Sequence, residues 1–167
     1  DNIAAITGIK PAFEELDCCD LEGMETRIFQ KYANIKAIIH FAAYKAVGES
    51  VEQPLKYYRN NLVSLINLLE LMPKYQVKGI VFSSSCTVYG QPDVLPVTED
   101  APVKKAESPY GNTKQINEEI IRDAVTSGSP IQAILLRYFN PIGGHPTSLI
   151  GEMPNGVPMN LIPYLTQ

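Results

Sequence analysis

The sequence predicts an α/β fold, a doubly wound and mostly parallel sheet, and two observations carry that expectation. Short, nearly continuous apolar runs at 35–43, 78–85 and 131–139 read as strands buried on both faces, as parallel sheets require. Between them lie stretches whose apolar residues recur at helical spacing. Strict alternation of strand and helix implies right-handed crossovers within one sheet.

Taken in order, residues 2–8 read as the tail of a helix closed at Gly8, with Pro11 barring its continuation. Residues 11–16 are a short strand candidate. Leu21, Met24, Ile28 and Tyr32 then recur at helical spacing to about Ala33, behind Asp20 as a cap. Pro54 opens a long helix reaching about residue 75. Its stripe of Leu55, Tyr58, Leu62, Leu65, Leu69 and Met72 is widened by Ile66 and Leu68, which implies a second buried face against another subunit. Residues 91–109, with Pro92, Pro96, Pro102 and Pro109, read as an ordered surface loop. A helix from Tyr110 to about Thr126 is stopped by Ser127-Gly128-Ser129-Pro130. After the last strand come Asn140-Pro141, the pair Gly143-Gly144 and an irregular tail, and a final helix begins near Met159.

The chain has 167 residues, a single-domain length, with 45% apolar and 19% charged residues. A net charge of −4 argues against a general nucleic-acid or membrane-surface binder, which needs a basic patch. No apolar run approaches the roughly 20 residues of a spanning helix. Cys18, Cys19 and Cys86 lack metal-ligand spacing and suit a reducing, cytoplasmic compartment, so no metal site is expected. The chain opens on Asp1 without a leader pattern and stops inside an apolar helical pattern, so both ends read as truncated.

In open parallel sheets ligands bind outside the carboxyl ends of the strands. Three motif-rich stretches fall there: His40-Phe41-Ala42, Ser83-Ser84-Ser85 and Tyr138-Phe139-Asn140. Tyr110 and Lys114 stand four apart at a helix start, which puts them on one face with Cβ atoms roughly 5–6 Å apart. A phenol beside an ammonium is a candidate base, because positive charge favours the phenolate. Bringing a phenol of pKa near 10 to neutrality takes about 4 kcal/mol. A seryl hydroxyl from a neighbouring strand end completes a proton-handling site. Ser83 and Ser84 read as groups that satisfy backbone atoms where a strand ends. His40 reads as packing at its strand end, and Cys18 and Cys19 as small buried groups.

Tyr110-Gly111-Asn112-Thr113-Lys114 resembles the YxxxK signature of the extended short-chain dehydrogenases/reductases. Four further blocks resemble, more narrowly, the UDP-glucose (UDP-galactose) 4-epimerase family. They are Ile39-His40-Phe41-Ala42 through Val47-Gly48-Glu49-Ser50, Phe82 through Gly90, Leu136-Arg137-Tyr138-Phe139-Asn140-Pro141, and Asn160-Leu161. The likeness covers nearly the whole chain from about Gly8.

The resemblance implies a partial, Rossmann-like NAD-binding domain over 1–150, followed by the start of a substrate-binding region over 151–167. It implies Tyr110 as the base at the sugar's C4 hydroxyl, Lys114 holding the nicotinamide ribose and lowering the tyrosine pKa, and Ser85 bonding the reacting oxygen. NAD contacts are implied for Asp20, Leu21, Phe41, Lys45, Asn60, Ser85, Tyr110, Lys114, Tyr138 and Phe139. Contacts to a UDP-sugar are implied for Ser85, Cys86, Thr87, Tyr110, Tyr138, Phe139, Asn140, Met159, Asn160 and Leu161. A homodimer through the 54–75 and 110–126 helices is implied as well.

Departures from the family pattern are Ala43-Tyr44 for Gly-Leu, Cys86 for alanine and Met159 for asparagine. No GxGxxG occurs, so the backbone cradle for a pyrophosphate is missing and this segment alone is expected to have little turnover. Nucleotide-sugar dehydratases and decarboxylases resemble the chain too. Elimination, however, needs an acid and base after the serine, where Cys86 and Thr87 stand. The same blocks are compatible with epimerases of UDP-pentoses or N-acetylated sugars, and with a non-catalytic interaction module.

Overall fold

A computed structural model of the chain describes residues 2–151 and 161–165. The elements run α1 (Asn2–Thr7), α2 (Leu21–Met24), β1 (Ala37–His40), α3 (Val47–Glu52), α4 (Pro54–Lys74), β2 (Gly79–Ser85), α5 (Pro109–Thr126), β3 (Gln132–Tyr138) and α6 (Leu161–Leu165). They fall into two compact units. One is Glu15–Tyr138, and the other joins the chain's beginning to the residues from Phe139 onward.

Within Glu15–Tyr138 the three strands form a parallel sheet in the order β1-β2-β3. Ala37 pairs with Gly79 and His40 with Phe82, while Ser84 pairs with Arg137 and Ser85 with Tyr138. Because the strand order advances in one direction, equal-handed crossovers place α4 and α5 on the same face. There Leu65, Leu68, Leu69 and Met72 of α4 and Ile121 of α5 pack on Ile80 and Phe82, with Ile38, Ala133 and Leu135 beside them. Burial therefore alternates along the strands. The residues facing away, Ile39, Ile134 and Leu136, are exposed among the described residues, where the apolar runs predict burial on both faces.

Helix boundaries follow local chemistry. Pro54 and Pro109 sit in the first turns of α4 and α5, where a missing N–H removes no intrahelical bond. The Ser108 hydroxyl accepts from the Gly111 N–H at 3.1 Å and caps α5. Gly128, at φ +94°, closes that helix.

Other expectations are corrected. Residues 11–16 form no strand; Pro11 lacks a donor, and the described sheet offers this stretch no ladder partner. The helix expected to about Ala33 is one α-turn that widens into a π-helical turn over Glu25–Phe29, where the Gln30 N–H reaches the Glu25 carbonyl at 2.9 Å. The first strand is confined to β1, and α3 is an additional helix. The final helix starts at Leu161; Met159 and Asn160 lie outside the described residues.

Candidate functional site

The site lies where β2 ends. Ser85 is still extended, at φ −153° and ψ 152°, and its hydroxyl accepts from the Thr87 N–H at 3.3 Å to cap a 3₁₀ turn, Cys86–Tyr89. Gly90 leaves that turn at φ +59°, and a Cβ there would stand 2.6 Å from the Lys105 carbonyl oxygen. Gly111 serves a second close approach. A Cβ on it would lie 3.3 Å from that of Thr87, so glycine lets the first turn of α5 rest against the 3₁₀ turn. The result brings the Tyr110 phenol up to Ser85, whose side chain acts to lower the phenol's pKa.

One helical turn on, the Lys114 ammonium is 4% exposed and donates to the Ser83 carbonyl at 2.6 Å. It stands 4.9 Å from the Phe82 ring centroid and 5.8 Å from that of Tyr110. Burial lowers its pKa to about 8. Burial raises the Tyr110 phenol above its usual 10, and the Ser85 bond offsets only part of that rise. In the chain alone Lys114 does not offset that rise, so the expected depression of Tyr110 is not seen there. His40, 5% exposed and stacked on Phe82 with centroids 6.0 Å apart, is lowered to about 4 by burial and then by the Lys114 charge. It is neutral at pH 7 and packs at its strand end.

Behind this trio lies a group that the motifs do not single out. The Glu118 carboxylate, 1% exposed, accepts from the Ser84 hydroxyl at 2.5 Å. Arg137 Nε and Nη2 donate to it at 2.9 and 2.7 Å, and Arg122 at 2.6 Å. Burial alone would raise its pKa, but the bonds to Arg137 and Ser84 and the two guanidinium charges pull it below the usual carboxylate range. Ser84 is thus more than a strand-end group. The visible signal was a carboxylate four residues after Lys114, on the helix stripe that faces the sheet.

Beside the end of β1 opens a cleft of about 210 Å³ lined by Leu16, Asp17, Cys18, Ala42, Ala43, Tyr44, Asn60 and Ser64. Asn60, a candidate NAD contact, is one of its walls. Asp20 and Leu21 are not among its walls: the Asp20 carboxylate caps α2 through the Gly23 N–H at 2.9 Å, and Leu21 is the exposed first residue of that helix. Asp17 and Cys18, three residues earlier, occupy the wall. The signal available was an Asx turn, in which the Asp17 carboxylate accepts from the Cys19 N–H at 2.8 Å.

The segment after β1 is held by Asn61, whose amide bonds both the N–H and the carbonyl of Tyr44 at 2.9 and 3.0 Å and also reaches the Thr113 hydroxyl. Lys45 is exposed just ahead of α3. Phe41 and Tyr138 meet with ring centroids 6.3 Å apart, and Tyr138 lies opposite Ser85 in the sheet. Cys86 and Thr87 sit in the 3₁₀ turn, and the Thr87 hydroxyl is buried with no partner among the described residues. Phe139, Asn140 and Leu161 belong to the second unit, and all three are exposed. Among the described residues no cluster of His, Cys, Asp and Glu gathers for a metal ion, and no helix is long and apolar enough to cross a membrane.

A parallel α/β sheet with flanking helices, and with tyrosine, lysine and serine gathered at its carboxyl edge, defines the class: a partial fold of the Rossmann-like type. The chain belongs to the NAD dependent epimerase/dehydratase family, whose profile matches residues 2–166. It is 51% identical over 167 residues to the UDP-glucose 4-epimerase of Bacillus subtilis, covering 100% of this chain and 48% of that protein. To the human UDP-glucose 4-epimerase it is 50% identical over 165 residues, covering 99% and 47%. The crystal structure of UDP-glucose 4-epimerase from Bifidobacterium longum in complex with NAD+ and UDP superposes with a TM-score of 0.92 at 47% identity, over 98% of this chain and 48% of that one. The chain thus spans about half the length of the curated relatives it matches.

Proposed function

We propose that the whole protein interconverts UDP-hexoses at C4 with NAD as cofactor. The observation that carries this reading is the meeting of Tyr110 with Ser85 at the end of β2, with the buried Lys114 ammonium 5.8 Å from the Tyr110 ring centroid. Support comes from relatives at about 50% identity that are UDP-glucose 4-epimerases, and from a similar solved structure that holds NAD+ and UDP.

The residues present fit the cofactor. The cleft of about 210 Å³ beside β1 offers a carboxylate at Asp17, an amide at Asn60 and the small side chains of Ala42 and Ala43. The buried Lys114 ammonium carries three donors and directs one of them to the Ser83 carbonyl, so it can take up further oxygens. Bound NAD supplies the hydride acceptor and, when oxidised, a positive charge. Tyr110, protonated by burial in the chain alone, ionises where positive charge lies against it and takes the proton of the C4 hydroxyl. Ser85 bonds the same oxygen and keeps it in line with the phenol. The Thr87 hydroxyl, buried without a partner among the described residues, is a proposed contact of the sugar.

Phe41, Tyr138 and, in the second unit, Phe139, Asn140 and Leu161 are proposed contacts of cofactor and sugar, as are Lys45, Cys86, Met159 and Asn160. A homodimer through α4 and α5 is supported by Ile66 and Val125, which those helices leave exposed. Cys18, Cys19 and Cys86 are free thiols, which supports a cytoplasmic setting.

Tyr110→Phe in the complete protein tests the reading. Turnover of UDP-galactose is expected to fall by roughly 10²–10⁴-fold, the usual worth of a general base, with NAD still bound. Near wild-type turnover in that variant defeats the assignment.

A further inference from the structure

Tyr110, Lys114 and Glu118 lie four apart along one stripe of α5, and each meets a different residue at the end of β2. Tyr110 faces Ser85, Lys114 donates to the Ser83 carbonyl at 2.6 Å and Glu118 accepts from the Ser84 hydroxyl at 2.5 Å. The third contact differs from the other two because it reaches β3 as well. Ser84 and Arg137 are directly opposite in the sheet, and both bond the same carboxylate, Arg137 as a two-pronged fork. The Arg137 guanidinium also lies 4.8 Å from the Tyr89 ring centroid, so the 3₁₀ turn bearing Cys86 and Thr87 is tied in too.

We propose that Glu118 is a positioning residue. Its carboxylate clamps α5 to β2 and β3 at the height and rotation that bring Tyr110 and Lys114 onto Ser85 and Ser83. This rests on the proposed epimerase function as far as catalysis is concerned; the clamp itself rests on geometry alone.

The physical argument is one of geometric specification. An apolar side chain of similar volume at 118 would fill the space, and replacing buried ion pairs with hydrophobic residues often leaves stability unchanged or improved. Packing of that kind tolerates sliding of a helix along a sheet. A carboxylate with four directed bonds, two of them from one planar guanidinium, does not. Glu118 has no solvent route to relax, so a slip of α5 would break several charge-assisted bonds at once. The one-turn offset between Lys114 and Glu118 carries that constraint directly to the ammonium, and a second turn carries it to the phenol.

The test is Glu118→Gln in the complete protein, which keeps size and removes the charge. Two quantities are measured: kcat and KM for the UDP-sugar, and hydrogen exchange of the backbone amides at 83–86 and 110–114. Positioning predicts kcat lower by tenfold or more with KM for the sugar within twofold. It also predicts exchange at least tenfold faster at those amides with 37–40 unchanged. Exchange that is unaltered at 83–86 and 110–114, or accelerated equally through all three strands, overturns the clamp. If E118Q does not fold, Ser84→Ala replaces it, with the same expectation and the same refutation. Failure of the wild-type protein to epimerise UDP-hexoses overturns the proposed function, and the exchange measurement still decides the clamp.

Discussion

Lys114→Met should make the chain more stable at neutral pH while disabling its site. Lys114 is almost wholly buried, and burial lowers its pKa from 10.5 to about 8. At about 1.36 kcal/mol per pH unit, holding the charged form costs the folded chain about 3 kcal/mol relative to the unfolded one. The sign is set by proton binding. Below about pH 8 both states are protonated and the full penalty applies. Between about 8 and 10.5 the unfolded chain binds more protons, so stability rises with pH, and above 10.5 the penalty is gone. Methionine removes the penalty and forfeits the charge-assisted hydrogen bond to the Ser83 carbonyl, worth about 2 kcal/mol. A net gain of about 1 kcal/mol is therefore expected at pH 7. It should vanish by pH 10.5. Urea unfolding followed by circular dichroism without added dinucleotide measures both. A variant less stable at pH 7, or one equally stabilised at both pH values, would refute the reasoning.

Two further outcomes follow from the same region. The His40 imidazole should titrate near pH 4 by NMR, so the unfolded chain binds more protons between about 6.5 and 4 and stability falls with acidification across that window. His40→Leu should remove that acid-side loss, and an unchanged slope counts against it. Gly90→Ala places a Cβ 2.6 Å from the Lys105 carbonyl oxygen at φ +59°, and should lower the unfolding free energy by about 2 kcal/mol or more. A urea midpoint like that of the wild type would mean the turn has an alternative path.

What the sequence determined by itself is what depends on spacing along the chain. The alternation of apolar runs with helical stripes is a local periodicity, and it specified a parallel α/β sheet. The helix start at Pro54 and the stop at Ser127-Gly128 follow from single-residue backbone chemistry, whereas α5 begins one residue before the expected Tyr110, at Pro109 behind the Ser108 cap. Tyr110 and Lys114 share a helix face because they are four apart, whatever surrounds them.

Tertiary structure decided everything that passes between elements. Strand order placed both crossovers on one face, so apolar strands that read as buried on two sides are covered on one among the described residues. Register set Ser84 opposite Arg137, which turned a serine of the strand-end run into a partner of Glu118. Asp20 and Asp17 are equally acidic in sequence. Only the path of the loop shows that the first caps a helix and the second lines the cleft. Burial, a property of the packed chain, gave the charges their values: it raised Tyr110 and lowered Lys114 and His40. The pair four apart on one helix face was legible from the start. The direction of its proton affinities was not, because desolvation depends on neighbours that the linear spacing does not contain.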